Sequence, residues 1–119
     1  RELKASGAVP VRAGWLSAVL RGHRRVARGL GIAAPVFVAC STRSELKLQE
    51  GSERARTSDI VLDVENIVAK APRLGPHVTI VRVPDGFHDL TLSVPPARAR
   101  LFAELRTWLR AYVPDAVAL

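Results

Sequence analysis

The sequence predicts an α/β fold in which three helices and two parallel strands follow the order α-β-α-β-α. Two short apolar runs, 35–40 and 77–83, have the length and β-branched content of strands. A proline opens the first run and another directly follows the second. The segments before, between and after the runs carry apolar residues at helical spacing. Because strands alternate with helices, we expect a parallel sheet joined by right-handed crossovers.

The first predicted helix runs from about Val11 to Leu30 and ends at Gly29 and Gly31, since glycine readily adopts the left-handed conformation that terminates helices. One basic cluster follows the spacing i, i+3, i+4, i+7 and consists of Arg21, Arg24, Arg25 and Arg28. The opposite side of this helix carries the apolar residues Trp15, Leu16, Val19, Val26 and Leu30. We therefore expect an amphipathic helix whose basic side is solvated.

The first predicted strand starts after Pro35, and residues 36–40 lack polar alternation, which is typical of a strand covered on both faces. We expect Cys40, at the end of this run, to be a small buried residue. Residues 41–58 are rich in Ser, Arg and Glu, also contain Lys47, and are predicted to form a long surface loop.

The second half of the chain predicts a helix, a strand and a final helix. The middle helix starts at Asp59 or Asp63 and ends near Ala71, before Pro72 and Gly75. The strand at 77–83 alternates only in part, as expected near a sheet edge, and Pro84 to Gly86 turn the chain out of it. The last helix begins at Pro95–Pro96. Its apolar stripe, which we expect to pack on the sheet, consists of Leu101, Phe102, Leu105, Trp108, Leu109 and Tyr112.

Composition fits a globular chain, because 48% of the 119 residues are hydrophobic and 24% are charged. No apolar run approaches the roughly 20 residues of a membrane-spanning helix, and one cysteine cannot form an internal disulfide. The chain begins with Arg1 and contains no methionine, so we expect it to be part of a longer protein. Any targeting signal would then lie upstream, and we expect a cytoplasmic location.

Motifs for cofactors are absent from the sequence. It contains neither G-x-G-x-x-G nor G-x-x-x-x-G-K-[ST], and neither His23 nor His77 has a second ligand at metal-binding spacing. We therefore predict no cofactor and no metal. The net charge of +7 leaves a small basic module that binds nucleic acid or a membrane surface as one alternative.

His88 is the candidate catalytic residue, since it lies in a glycine-containing loop directly after the second predicted strand. A histidine general base needs a carboxylate on one ring nitrogen, to fix the tautomer, and a free second nitrogen. Asp59 is the candidate carboxylate and Asp63 the alternative, with a helix N-cap as the competing role for both. Asp89, next to His88, is expected to be a turn or capping residue.

Two motifs give this chain its resemblance to a known family: Ser58-Asp59-Ile60-Val61, and Pro84-Asp85-Gly86-Phe87-His88-Asp89 after Val78-Thr79-Ile80. With them, residues 35–112 resemble the C-terminal portion of an α/β-hydrolase of the serine aminopeptidase S33 and lysophospholipase-like kind. The resemblance implies that Asp59 and His88 are the acid and histidine of a catalytic triad. It also implies that residues 35–119 belong to the hydrolase domain, and 1–34 to the end of a cap or to the layer covering the sheet. The stretch between strand and acid is longer here than in that family.

The nucleophile of such a triad is missing, because no serine has the G-x-S-x-G flanks of a nucleophile elbow. We therefore expect the C-terminal part of a serine hydrolase that acts on a small-molecule acyl substrate, a carboxylic ester or lysophospholipid-like compound. The remaining strands and the serine would lie N-terminal to Arg1, and this chain alone would be inactive. A non-catalytic α/β-hydrolase relative is the second alternative.

Overall fold

The computed structural model describes residues 12–47 and 52–116, which form an α/β arrangement of helices around a two-stranded parallel sheet. The elements in chain order are α1 (Ala13–Arg28), β1 (Val36–Ser41), α2 (Glu53–Arg56), α3 (Val64–Lys70), β2 (Val78–Val83) and α4 (Pro95–Tyr112). Three 3₁₀ turns accompany them: Ala71–Arg73, Leu90–Leu92 and Pro114–Ala116. Within these described ranges, no helix has the length and apolar character to cross a bilayer.

The two strands pair in parallel, with Val36 opposite Val78 and Ser41 opposite Val83. This confirms both predicted strands and their relative direction. Since parallel strands end at the same edge of a sheet, the chain leaves β1 and β2 side by side. The loops that carry the candidate acid and histidine both start from this edge.

The core lies between the sheet and α4, where Val83, Ala97 and Leu101 are buried. The predicted stripe of α4 packs only in part, because Phe102 and Tyr112 stay 46% and 49% exposed. Phe102 lies about 100° around the helix from Leu101 and so faces away from the sheet. Tyr112 lies in the last turn and contacts Trp108 in a tilted arrangement, with ring centroids 5.3 Å apart and an interplanar angle of 45°.

Helix α1 is amphipathic as predicted, and its basic side is solvated. It ends at Arg28, two residues before the predicted Leu30, and the glycines that follow, Gly29 and Gly31, have φ angles of +93° and +61°. The predicted start at Val11 falls outside the described residues. The apolar side is also largely open, since no residue of α1 is buried and Trp15 is 60% exposed. The Leu30 N–H donates to the Arg73 carbonyl (3.0 Å), which ties the end of the helix to the domain.

The described residues of the segment predicted as one surface loop, 41–47 and 52–58, include a short helix. The Ser52 hydroxyl accepts from the Ala55 N–H (3.1 Å) and starts the short helix α2, whose Ala55 is buried. Such N-capping by serine satisfies one of the otherwise unpaired N–H donors of a helix start. The prediction of an irregular loop is therefore wrong for the described residues 53–56.

Candidate functional site

The carboxylate of Asp59 lies beside the carboxyl end of β1. Ser44 and Asp59 form an isolated parallel bridge, in which the Asp59 N–H donates to the Arg43 carbonyl (3.0 Å). The Glu45 N–H donates to the Asp59 carbonyl (2.8 Å). Because both main-chain groups of Asp59 are paired, this residue is held at a fixed distance from the strand end.

The Asp59 side chain is buried, with 4% of its surface exposed. Its Oδ1 accepts hydrogen bonds from the N–H groups of Val61 (2.9 Å) and Leu62 (2.8 Å). A buried carboxylate requires such donors, and bonds from N–H to a carboxylate are stronger than those between neutral groups. The two backbone N–H groups thus orient the carboxylate as well as compensating its burial.

The imidazole of His88 lies directly against this carboxylate. Its Nδ1 is 3.1 Å from both Asp59 Oδ1 and Asp59 Oδ2, and the side chain is 37% exposed. When Nδ1 carries the proton, it donates to the carboxylate and leaves Nε2 with a free lone pair. No described residue hydrogen-bonds Nε2. The arrangement has the elements of a general base that accepts a proton at Nε2.

The loop that carries His88 is fixed by a tight turn at the end of β2. Asp85 has a φ of +56°, and the Gly86 N–H donates to the Val83 carbonyl (3.2 Å). A Cβ on Gly86 would lie 2.6 Å from Leu90 Cδ2 and 3.0 Å from the Val83 oxygen, so only glycine fits without displacement. The chain therefore passes close to the strand ends immediately before the histidine.

Two further contacts complete the histidine loop. The Phe87 N–H donates to the hydroxyl of Ser93 (2.8 Å), a buried residue that precedes α4. Asp89 caps the following 3₁₀ turn, as predicted, and accepts from the N–H (3.0 Å) and the hydroxyl (2.6 Å) of Thr91. These hydrogen bonds from Thr91 lower the pKa of the Asp89 carboxyl.

Asp63, the alternative acid, has a different role in the structure. It is the N-cap of α3 and accepts from the Glu65 N–H (3.0 Å) and the Asn66 amide (3.0 Å). The middle helix thus starts after Asp63 and not at Asp59. Of the two candidate acids, the structure brings Asp59 to His88.

Two hydroxyl groups and one thiol lie near the strand ends, and all three belong to buried residues. The hydroxyl of Ser58 accepts from Arg43 Nε (3.0 Å), and both Ser58 and Ser41 are buried. Cys40 is buried as predicted, and burial raises the pKa of its thiol, which disfavours the nucleophilic thiolate. Among the described residues, none of these groups hydrogen-bonds His88.

A small open cavity adjoins the histidine loop. It has a volume of about 280 Å³ and is lined by Arg56, Phe87, Leu92, Ser93 and Val94. Phe87 directly precedes His88 in the chain, and Leu92 is 71% exposed, so the lining offers apolar surface.

The sequence alone did not single out Arg43 or Ser44, which organise the two loops. The Ser44 hydroxyl donates to the Leu62 carbonyl (2.8 Å) and accepts from the Val64 N–H (2.8 Å). This links the end of β1 to the start of α3. No spacing rule predicts such contacts, because they join residues about 20 positions apart.

Comparison with protein-family models, curated proteins and solved structures found no match to this chain. The functional proposal therefore depends on the geometry of the site and on the sequence motifs around Asp59 and His88.

Proposed function

We propose that this chain supplies the acid and base of a serine hydrolase that cleaves carboxylic esters or related acyl bonds. His88 is the general base and Asp59 the carboxylate that orients it. The observation that carries the proposal is the 3.1 Å contact between His88 Nδ1 and both oxygens of a buried carboxylate. The resemblance of the two flanking motifs to an α/β-hydrolase supports the same interpretation.

The proposed reaction requires a serine from another part of the complete polypeptide, by which we mean the gene product that contains these 119 residues. The serine Oγ attacks the acyl carbonyl while His88 Nε2 takes its proton. The imidazolium so formed then protonates the departing alcohol, which leaves the acyl group esterified to the serine. His88 next takes a proton from water as the water attacks this ester, and the serine leaves with that proton as the carboxylic acid is released. Backbone donors that stabilise the oxyanion would accompany the serine.

Asp59 has two effects in this mechanism. Its bond to Nδ1 keeps the proton there, so Nε2 presents a lone pair to the serine hydroxyl. Its negative charge stabilises the imidazolium formed when the serine is deprotonated. Because Val61 and Leu62 already fix the carboxylate, little reorganisation is needed as charge develops on the ring.

The test is covalent labelling of the complete polypeptide with a fluorophosphonate, a probe of activated serines. We expect labelling of the unmodified protein, and His88→Ala should slow it by about 10⁶-fold, because the base is lost. His23→Ala, an exposed position on α1, is the matched control and should label at the unmodified rate. Equal labelling of His88→Ala would contradict the proposal, whereas no labelling of the unmodified protein would favour the non-catalytic relative.

A further inference from the structure

The guanidinium of Arg43 connects the loop that carries the acid to the loop that carries the histidine. On the acid side, Nε donates to Ser58 Oγ (3.0 Å) and to the Thr57 carbonyl (3.2 Å), and Nη2 donates to Thr57 Oγ1 (2.9 Å). On the histidine side, Nη2 also donates to Asp85 Oδ1 (3.3 Å). Thr57 and Ser58 directly precede Asp59, and Asp85 lies three positions before His88.

Arg43 also contacts the acid through its main chain, because its carbonyl accepts the Asp59 N–H (3.0 Å). Arg43 therefore contacts the acid loop through both its main chain and its side chain, and the histidine loop through its side chain. Catalytic pairs require a positional precision of about 0.5 Å. The paired strands end at Ser41 and Val83, so this precision depends on contacts beyond the sheet.

The chemistry of arginine suits this role better than that of lysine. Its planar fork of fixed donors engages several acceptors at once, whereas a lysine ammonium is a point donor on a flexible stem. The Ser58 hydroxyl that Nε contacts is fully buried. The contact to Asp85 is more open, with side chains 48% and 59% exposed, and contributes less.

We propose that Arg43 is a positioning residue for the Asp59–His88 pair. It holds the two loops at the separation at which the imidazole Nδ1–H reaches the carboxylate. The catalytic meaning of this role rests on the proposed function, whereas the dependence of the His88 tautomer on Arg43 is testable without any activity.

The first experiment measures the His88 tautomer by ¹⁵N NMR of histidine-labelled complete polypeptide, at a pH where imidazole is neutral. We expect the Nδ1–H form in the unmodified protein. Arg43→Lys should shift the ratio of the two tautomers toward Nε2–H by about tenfold. This is the effect expected when the hydrogen bond from His88 Nδ1–H to Asp59 is lost. The control Arg100→Lys changes an exposed arginine paired with Glu104 on α4 and should leave the ratio unchanged. An unchanged ratio in Arg43→Lys would overturn the proposal.

A second variant guards against misfolding of Arg43→Lys. Asp85→Asn keeps a residue that tolerates the positive φ at this position and removes only the charged acceptor on the histidine side. We expect a smaller shift in the same direction, about twofold. Combined with Arg43→Lys, it should add nothing further, since both changes break one connection. A full additional shift in the double variant would overturn the proposed connection.

Fluorophosphonate labelling separates this inference from the proposed function. We expect Arg43→Lys to slow labelling by about tenfold, with Arg100→Lys at the unmodified rate. If labelling requires His88 but is unaffected by Arg43→Lys, the positioning role is wrong and the hydrolase stands. If the tautomer depends on Arg43 but no serine is labelled, the hydrolase is wrong and the positioning role stands.

Discussion

At the scale of residues, two aspartates four positions apart have separate roles. Asp59 is paired with the extension of β1 through its main chain and meets His88 with its side chain. The side chain of Asp63 instead caps the first turn of α3. From sequence, both are N-cap candidates and Asp63 is the better one, but the bridge between Ser44 and Asp59 joins distant positions and leaves no local pattern.

Amide substitutions of the two aspartates should therefore differ strongly in their effect on activity. We expect Asp59→Asn to slow fluorophosphonate labelling of the complete polypeptide by about 10⁴-fold, because the neutral amide favours the wrong tautomer. Asp63→Asn should change the rate by less than about twofold, since asparagine caps helices as well as aspartate. A loss of labelling confined to Asp63→Asn would show that the acid is misassigned.

At the scale of elements, strands were predicted well and connections poorly. The run at 36–40 predicts a strand because it is continuously apolar, and the run at 77–83 because it is rich in β-branched residues. The structure differs from each of these ranges by one residue. Helix α2 escaped prediction because it spans only four residues and depends on one serine cap. Pro84 and Gly86 predict the turn before His88. The close packing of this turn against Leu90 depends on the folded structure, and no sequence pattern indicates it.

The turn between β2 and the histidine loop leaves no room for a side chain at Gly86. We expect Gly86→Ala to lower the free energy of unfolding by about 1–3 kcal/mol, because the added methyl group crowds Val83 and Leu90. Gly22→Ala is the control, since its Cβ would meet no atom within 4 Å in the middle of α1, and it should raise stability by about 0.5–1 kcal/mol. Urea unfolding of the complete polypeptide measures both, and equal stability of the Gly86 variant and the unmodified protein would refute this packing.

At the scale of the whole molecule, the described chain leaves much apolar surface open. The radius of gyration is 16.7 Å, against about 13 Å for a compact domain of 100 residues. Trp15, Leu46 and Leu92 are more than half exposed. An isolated two-stranded sheet has marginal stability in water, and among the described residues β1 pairs with β2 and with no other strand.

We therefore expect the 119-residue chain, expressed alone, to self-associate. Light scattering after size exclusion should give a mass above the 12.9 kDa of one chain, rising with concentration. Leu16→Glu, in the exposed apolar side of α1, should reduce association, whereas Arg24→Glu on the basic side should not. A monomer that unfolds in one cooperative transition, with an ordinary stability of about 5–15 kcal/mol, would contradict this expectation.

The most direct measurement of the central claim is a double-mutant cycle on fluorophosphonate labelling, with His88→Ala, Asp59→Asn and both together in the complete polypeptide. If the pair acts as one unit, the double variant should label as slowly as His88→Ala alone, because a carboxylate without its imidazole contributes nothing further. Fully additive losses in the double variant would contradict a base oriented by Asp59.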